Sequence, residues 1–305
     1  MNGFRERMLS IARDKVGMFD PIEWGRAGVL DEIAAPAAVD WWNHWPTWQV
    51  ISPGRSGTRW LADALVAASS SGVVHATRPT LASVGFMLDQ QMINADEAWG
   101  AYLSSRLGLL QRCYERRKAL IDLDCKNSPL AGALLARNPN SRCLVMLRSP
   151  VDFIRSGLAR GYFRSKSPFE WGHLTSVGYD SMFASNTSLS VNQQALMIAF
   201  FWNRTAQLAQ ELKLKHPERV HLIRVNNMFS SPDYLADALR VAGITISRES
   251  VLELNDFYKP KNGAKSTLRS GTLGIAWTEV LQRAMDGLDS DFVERIGLVE
   301  RNNNH

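Results

Sequence analysis

The sequence is poor in the features that mark disulfide-rich, zinc-binding and membrane-spanning proteins. Its 305 residues include three cysteines, Cys113, Cys125 and Cys143, none of them in a Cys-x-x-Cys pair. An odd number of separated cysteines argues against a disulfide framework or a zinc site, so we expect no metal and a reducing, cytoplasmic location. No apolar run approaches the ~18 residues of a transmembrane helix, and residues 1–20 lack the apolar stretch of a signal peptide.

Charge of one sign is not concentrated in any long run either. The formal net charge is +5, which suits an anionic ligand such as a nucleotide. The densest basic cluster, Arg116, Arg117 and Lys118, is predicted to lie on a solvated helix face. Nucleic-acid binding is therefore not favoured.

From Trp48 onward, short apolar runs that end in turn residues alternate with stretches of helical periodicity. Buried strands are predicted at 48–52, 72–75, 142–147 and 220–225. Helices are predicted from Thr58, at 151–158, 191–214, 232–242 and 277–297, and over most of 81–120. This alternation predicts an α/β fold, a three-layer α/β/α sandwich with a central parallel sheet.

The chain ends and two inner segments do not follow this alternation. Residues 1–45 are predicted to form a helical or irregular extension, and residues 46–305 the main domain. The tryptophans where they join, Trp41, Trp42, Trp45 and Trp48, are expected to pack the extension onto the core. Residues 159–190 are predicted to be a functional loop or lid, and 255–275 a second loop.

The first segment with chemical potential is the run Ser52-Pro53-Gly54-Arg55-Ser56-Gly57-Thr58, between a predicted strand and a predicted helix. Free N–H groups at a helix start carry partial positive charge, and glycines let the backbone curl around a phosphate. Arg55 adds a cation, and Ser56 and Thr58 add hydroxyl groups. The run lacks the lysine of a Walker A loop, and by itself it fits a plain tight turn equally well.

The second segment begins where a predicted strand ends at Arg148-Ser149-Pro150. Open α/β sheets bind ligands at the carboxyl ends of their strands. Arg148 offers a forked donor for phosphate, and Ser156, about two helical turns further on, offers a hydroxyl. Taken alone, such an arginine more often forms a structural salt bridge.

Together, these two segments resemble a known family. Gly-Arg-Ser-Gly-Thr-Arg-Trp resembles the 5′-phosphosulfate loop of sulfotransferases that use 3′-phosphoadenosine 5′-phosphosulfate (PAPS). Leu-Arg-Ser-Pro-Val-Asp-Phe-Ile-Arg-Ser resembles their 3′-phosphate element. The motif is more similar to carbohydrate and protein-tyrosine members than to cytosolic small-molecule members. The looser resemblance extends from Trp48 to about Ala242.

The resemblance implies a P-loop-like sulfotransferase architecture with PAPS as co-substrate and a hydroxyl or amine acceptor. It implies that Arg55 lies against the sulfuryl group and that Ser56, Gly57, Thr58 and Arg59 hold the 5′-phosphate. It assigns the 3′-phosphate to Arg148 and Ser156. Lys265 in the 255–275 loop is a looser match to a basic covering loop.

The acceptor side is less defined. Lys126 resembles the family lysine that contacts the sulfuryl oxygens, although alone it would pass for a surface amine. Ser128 stands where cytosolic members carry a histidine base. His75 is then the candidate base and Arg78 a candidate sulfuryl or acceptor contact, with Asp124 and His173 as rival bases.

Two other functions remain open from the sequence. A P-loop-type small-molecule kinase would share the strand, loop and helix, but needs a loop lysine and a magnesium-binding acid at a strand end. A non-catalytic nucleotide- or glycan-binding protein could use the same scaffold. Neither the acceptor nor the oligomeric state can be read from the sequence.

Overall fold

A computed structural model of the protein describes residues 40–68, 71–163, 189–246, 249, 251–252 and 274–298, and the backbone of residues 23–24. Within these residues the strands are β1 (Glu23–Trp24), β2 (Thr47–Ile51), β3 (Gly72–Val74), β4 (Leu120–Asp122), β5 (Arg142–Leu147) and β6 (Val220–Arg224). The α-helices are α1 (Thr58–Ala68), α2 (Ala82–Asp89), α3 (Ala95–Glu115), α4 (Ala131–Arg137), α5 (Pro150–Ala159), α6 (Val191–Lys215), α7 (Val225–Ser230), α8 (Pro232–Val241), α9 (Trp277–Met285) and α10 (Ser290–Arg295). Two 3-10 helices span Trp41–Asn43 and Cys125–Leu130.

The strands form one sheet in the order β1-β3-β4-β2-β5-β6. The strands β2, β3, β4, β5 and β6 all run parallel, and β1 pairs antiparallel with β3 at one edge. The strand β2, which leads into the glycine turn, lies at the centre with β4 on one side and β5 on the other. The expected α/β fold with a central parallel sheet is confirmed, with one antiparallel edge strand added.

Helices cover both faces of this sheet. On β5, Leu144 and Met146 pack with the cluster that contains the apolar residues of α1 and α8. Cys143, Val145 and Leu147 of the same strand pack with α5, α6 and α9 on the other face. This alternation follows from the period of two along a strand and produces the three layers.

The neighbouring strands β2 and β5 lead to helices on opposite faces, since α1 follows β2 and α5 follows β5. Such a reversal opens a crevice outside the carboxyl ends of the strands, where α/β proteins bind ligands. Both segments that the sequence suggests for anion binding begin at the carboxyl ends of these two strands.

Several sequence predictions need correction. Residues 277–297 form two helices, because Gly287 adopts a left-handed φ of 68° between α9 and α10. The strand β4 lies at the end of a stretch expected to be helical, as three residues are too few to show a period. Lys118 is buried, since α3 ends at Glu115 and the chain turns inward there.

Other expectations concern the tryptophans, the domain boundary, the two long loops and membrane spans. Trp45 and Trp48 are buried, and Trp41 packs edge-on against Trp45 at 6.2 Å between ring centroids. The boundary at residue 45 remains a prediction, and most of the 159–190 and 255–275 segments lies outside the described residues. Among the described helices, none is long and apolar enough to cross a membrane.

Candidate active site

The loop between β2 and α1 has an unusual backbone. Gly54, Arg55 and Gly57 all adopt positive φ angles of 85°, 57° and 84°. Glycine takes such angles without strain, whereas a left-handed arginine is strained. Inside the loop the Gly54 N–H donates to Ser52 Oγ at 3.1 Å, and Ser56 Oγ donates to the Gly54 carbonyl at 3.1 Å. The loop thereby holds its own shape, and Ser56 directs its proton inward.

The two segments predicted to bind anions meet at Arg55. Its Nε donates to Ser156 Oγ on α5 at 3.3 Å. Arg148 directly follows β5, and Trp202 Nε1 donates to the Arg148 carbonyl at 2.9 Å, which fixes the backbone there. The Arg148 side chain lies 3.6 Å from Asp152 in the first turn of α5. The fold therefore brings together residues that are far apart in the sequence, at the crevice between β2 and β5.

This contact lies in a positively charged neighbourhood. Partial burial lowers the pKa of Arg55, Arg160 and Arg148 lower it further by repulsion, and Tyr162 opposes the shift. Cations crowded at one cleft repel each other, and a bound anion would relieve that repulsion. The electrostatics of the cleft thus favour an anionic ligand.

Lys126 stands on the 3-10 helix Cys125–Leu130, directly beside the loop. Asp124 caps this helix, since its Oδ1 accepts from the Lys126 N–H at 3.1 Å. Ser128 Oγ accepts from the Ser52 N–H at 3.0 Å and donates to the Cys125 carbonyl at 2.7 Å. Ser128 therefore ties the Lys126 helix to the loop, and Cys125 packs against Gly54, with 3.2 Å between its Sγ and the position of a Cβ there.

His75 follows β3 and reaches the start of α1. Its Nε2 lies 3.2 Å from Thr58 Oγ1, so the candidate base borders the loop. Arg78 follows three residues later and is half-buried. Of the rival bases, Asp124 is 3% exposed and turned toward Lys126 and Arg106, and His173 lies outside the described residues.

Two predicted contacts are not brought into this group. Arg59 is directed along α1, where its Nε lies 3.2 Å from Asp63 Oδ1 and its side chain is 68% exposed. Lys265 lies outside the described residues. The roles proposed for both remain predictions.

The structure adds residues that the sequence reasoning missed. Phe229 of α7 lies over the loop, where its ring would come within 2.6 Å of a Cβ at Gly57. The same ring meets Trp60 edge-on at 5.2 Å between centroids. Arg160 and Tyr162 border Arg55 from the end of α5. Trp60 lies within the Gly-Arg-Ser-Gly-Thr-Arg-Trp motif, so the sequence offers a signal for the aromatic pair. The position of Arg160 and Tyr162 beside Arg55 is visible only in the folded structure.

Fold and site together define an α/β protein with a cluster of basic side chains at the carboxyl ends of the neighbouring parallel strands β2 and β5. No family model matches this chain, and no curated protein matches it in sequence. A sulfotransferase domain from the curacin biosynthetic pathway is similar in structure, with a TM-score of 0.40 and 14% identity over 69% of this chain and 77% of that chain. A sulfotransferase domain from the Synechococcus PCC 7002 olefin synthase has a TM-score of 0.41 and 14% identity over 88% and 89%. Likeness at this level does not transfer an activity or a residue's role to this chain.

Proposed function

We propose that this protein transfers a sulfuryl group from PAPS to a hydroxyl or amine acceptor. The observation that carries the proposal is the 3.3 Å contact between Arg55 Nε and Ser156 Oγ. It links the segment proposed for the 5′-phosphosulfate to the segment proposed for the 3′-phosphate. One nucleotide with anionic groups at both ends of its ribose can bridge such a pair.

The residues present suit this ligand. The free N–H groups at the start of α1, with Gly57 and Thr58, are proposed to hold the 5′-phosphate. Arg148 and Ser156 are proposed to hold the 3′-phosphate, and the finer contacts of Ser56, Arg59 and Lys265 are proposed from the sequence motif. The crowded cations at Arg55 support the assignment, because their repulsion needs an anion to relieve it.

The aromatic residues over the loop suit the base of the nucleotide. Phe229 is 46% exposed although it packs edge-on against Trp60. An exposed ring beside an anion-binding loop offers a flat apolar surface to a purine. We therefore propose that adenine packs against Phe229, which the buried Trp60 supports edge-on.

PAPS supplies an activated sulfuryl group and leaves as adenosine 3′,5′-bisphosphate. The acceptor oxygen or nitrogen forms a new bond to sulfur while the bond from sulfur to the phosphate oxygen breaks. Arg55 and Lys126 are proposed to stabilise the charge that accumulates on the sulfuryl and bridging oxygens. His75 is proposed to take the acceptor proton, with Arg78 orienting the acceptor.

The kinase alternative meets a structural obstacle at β4. A magnesium-binding acid would have to follow a strand next to β2, and Asp122 stands there. However, Asp122 is fully buried, and its oxygens accept from Arg106 Nε at 3.3 Å, Asn127 Nδ2 at 3.0 Å and the Asp124 N–H at 3.0 Å. With these partners, Asp122 is not available to a metal ion.

Ligand-induced thermal stabilisation tests the proposal. Adenosine 3′,5′-bisphosphate at 100 times its Kd should stabilise the protein by about 2.7 kcal/mol. Adenosine 5′-diphosphate and ATP with Mg²⁺ should stabilise it less, since neither carries a 3′-phosphate. Stabilisation by ATP with Mg²⁺ alone would instead favour the kinase.

Transfer itself is measured with radiolabelled PAPS and a panel of phenols, alcohols, sugars and amines. We expect a labelled product with at least one acceptor. Bisphosphate binding without any transfer or PAPS turnover would favour the non-catalytic binding protein.

A further inference from the structure

A group of buried charged residues lies beneath the proposed site and plays no part in the mechanism above. Arg106 of α3 and Asp122 at the end of β4 are both fully buried, and Asp124 is 3% exposed. Burying charges is unfavourable, and well-packed apolar residues often replace such groups without loss of stability. Stability alone therefore does not explain why these charged residues are buried here.

On one side this group holds the Lys126 helix. Arg106 Nε donates to Asp122 Oδ2 at 3.3 Å, and Arg106 Nη2 lies 3.9 Å from Asp124 Oδ2. Asp122 Oδ1 in turn accepts from the Asp124 N–H at 3.0 Å, and Asp124 Oδ1 accepts from the Lys126 N–H at 3.1 Å. A chain of direct contacts thus runs from Arg106 to the backbone of Lys126.

A second branch reaches the central strand. Asp122 Oδ2 accepts from Asn127 Nδ2 at 3.0 Å, and the Asn127 carbonyl accepts from Gln49 Nε2. Gln49 lies on β2 directly beside Asp122 in the parallel register. The Lys126 helix is therefore held to the strand that carries the Arg55 loop.

On the other side Arg106 holds the segment that carries Arg78. Its Nη1 donates to the Pro79 carbonyl at 3.0 Å, one residue after Arg78. The neighbouring strand β3 places Val74 opposite Asp122. One guanidinium, with donors that point in fixed directions, therefore contacts both chain segments on the acceptor side.

We propose that Arg106 is a positioning residue that fixes the Lys126 helix and the Arg78 segment relative to each other. This inference rests on the proposed sulfuryl transfer. Among the described residues, those proposed to hold the nucleotide phosphates lie on the loop after β2 and the start of α1, at Arg148 after β5, and on α5. The hydrogen bonds and ion pairs of Arg106 instead go to Asp122, Asp124 and Pro79. Loss of Arg106 therefore lowers the rate of transfer while nucleotide binding persists.

The test compares Arg106→Lys with wild type. Lysine keeps the charge, but its donors sit on one compact nitrogen and cannot reproduce the planar guanidinium that spans Asp122 and the Pro79 carbonyl. Misplacement of reacting groups by about 1 Å costs about 100-fold in rate, so we expect kcat to fall about 100-fold. The KM for PAPS and the Kd for adenosine 3′,5′-bisphosphate should stay near their wild-type values.

Hydrogen exchange provides a readout that does not need turnover. In Arg106→Lys, amides of residues 75–80 and 122–130 should exchange faster, while those of 142–158 stay unchanged. Arg240→Lys serves as the control, because Arg240 also pairs with an aspartate, Asp237, at 2.9 Å, and both residues lie on α8, outside the two segments. The control should keep wild-type turnover and exchange.

A second variant guards against misfolding. Arg106→Met with Asp122→Asn and Asp124→Asn removes all three charges together, so none is left buried alone. Three outcomes would overturn the positioning role. The first is a folded variant with wild-type kcat, and the second is an equal loss of kcat and of bisphosphate affinity. The third is failure of both variants to fold. Absence of bisphosphate binding and PAPS turnover in the wild type would instead overturn the proposed function itself.

Discussion

Replacing Arg55 separates its chemical role from its effect on the fold. Arg55 adopts φ of 57°, which is strained for any residue with a Cβ. The left-handed conformation costs such a residue about 1–2 kcal/mol, while glycine loses about 0.5–1 kcal/mol more entropy on folding. Both Arg55→Ala and Arg55→Gly lose the contact to Ser156, so their difference isolates the backbone. We expect Arg55→Gly to be more stable than Arg55→Ala by about 0.5–1 kcal/mol.

Turnover should respond to charge and not to backbone strain. Removal of one donor that stabilises developing charge costs about 2.7–4 kcal/mol, or about 10²- to 10³-fold in kcat. Both variants should lose that much, whereas Arg55→Lys, which keeps a cation, should lose far less.

The assay pairs urea denaturation with steady-state transfer from PAPS to the best acceptor of the panel. Alanine would normally be the more stable choice, so the sign of the difference is diagnostic. A glycine variant less stable than the alanine variant would refute the strain argument. Unchanged turnover in either variant would refute the proposed role of the cation.

Three further predictions follow from the described contacts. Arg148→Ala should weaken the binding of adenosine 3′,5′-bisphosphate about 10- to 100-fold, which is the contribution of one charged hydrogen bond. The same variant should bind adenosine 5′-diphosphate almost as tightly as wild type does. Equal losses of affinity for both nucleotides, measured by calorimetry, would contradict this. Burial and Asp122 raise the pKa of Asp124 from 3.8 to about 6, so the native state keeps a proton that the unfolded chain releases. Stability should therefore fall as pH rises from about 4 to about 6, by up to about 3 kcal/mol, and Asp124→Asn, which still caps the helix, should flatten that slope in denaturation curves. Burial raises the pKa of Cys125 to about 12. Iodoacetamide at pH 8 should therefore label Cys125 at least about 10³-fold more slowly in the folded protein than in the unfolded chain. Rapid labelling of the folded protein, followed by mass spectrometry, would contradict this.

The local parts of the fold were predictable because their signals are local. A buried apolar run, a glycine turn and a helical period identify β2, the loop and α1 from a short stretch of sequence. The same holds for β5 and α5, where a proline marks the start of the helix. The strand β4 escaped because its three residues, Leu120–Asp122, are too few to show a period and follow a long helix.

The sequence proposes candidate residues for the site but does not give the contacts between them. That Arg55 and Ser156 touch depends on β2 and β5 being neighbours in the sheet, which no local pattern encodes. The buried position of Arg106 was missed for a different reason. An arginine in a helix usually belongs to the solvated face, and only the packed structure reveals that this one points inward.

Strain and repulsion at the crevice have a common origin. Arg55 combines a left-handed backbone with a guanidinium whose pKa is lowered by burial and by neighbouring Arg160 and Arg148. Among the described residues, Asp152 is the carboxylate that pairs with one of these three arginines, and it contacts Arg148. A fold under selection for stability alone would remove both penalties with a glycine at position 55 and a neutral residue at position 160. The proposed anion-binding role accounts for both features, because a bound anion would offset the repulsion among these cations.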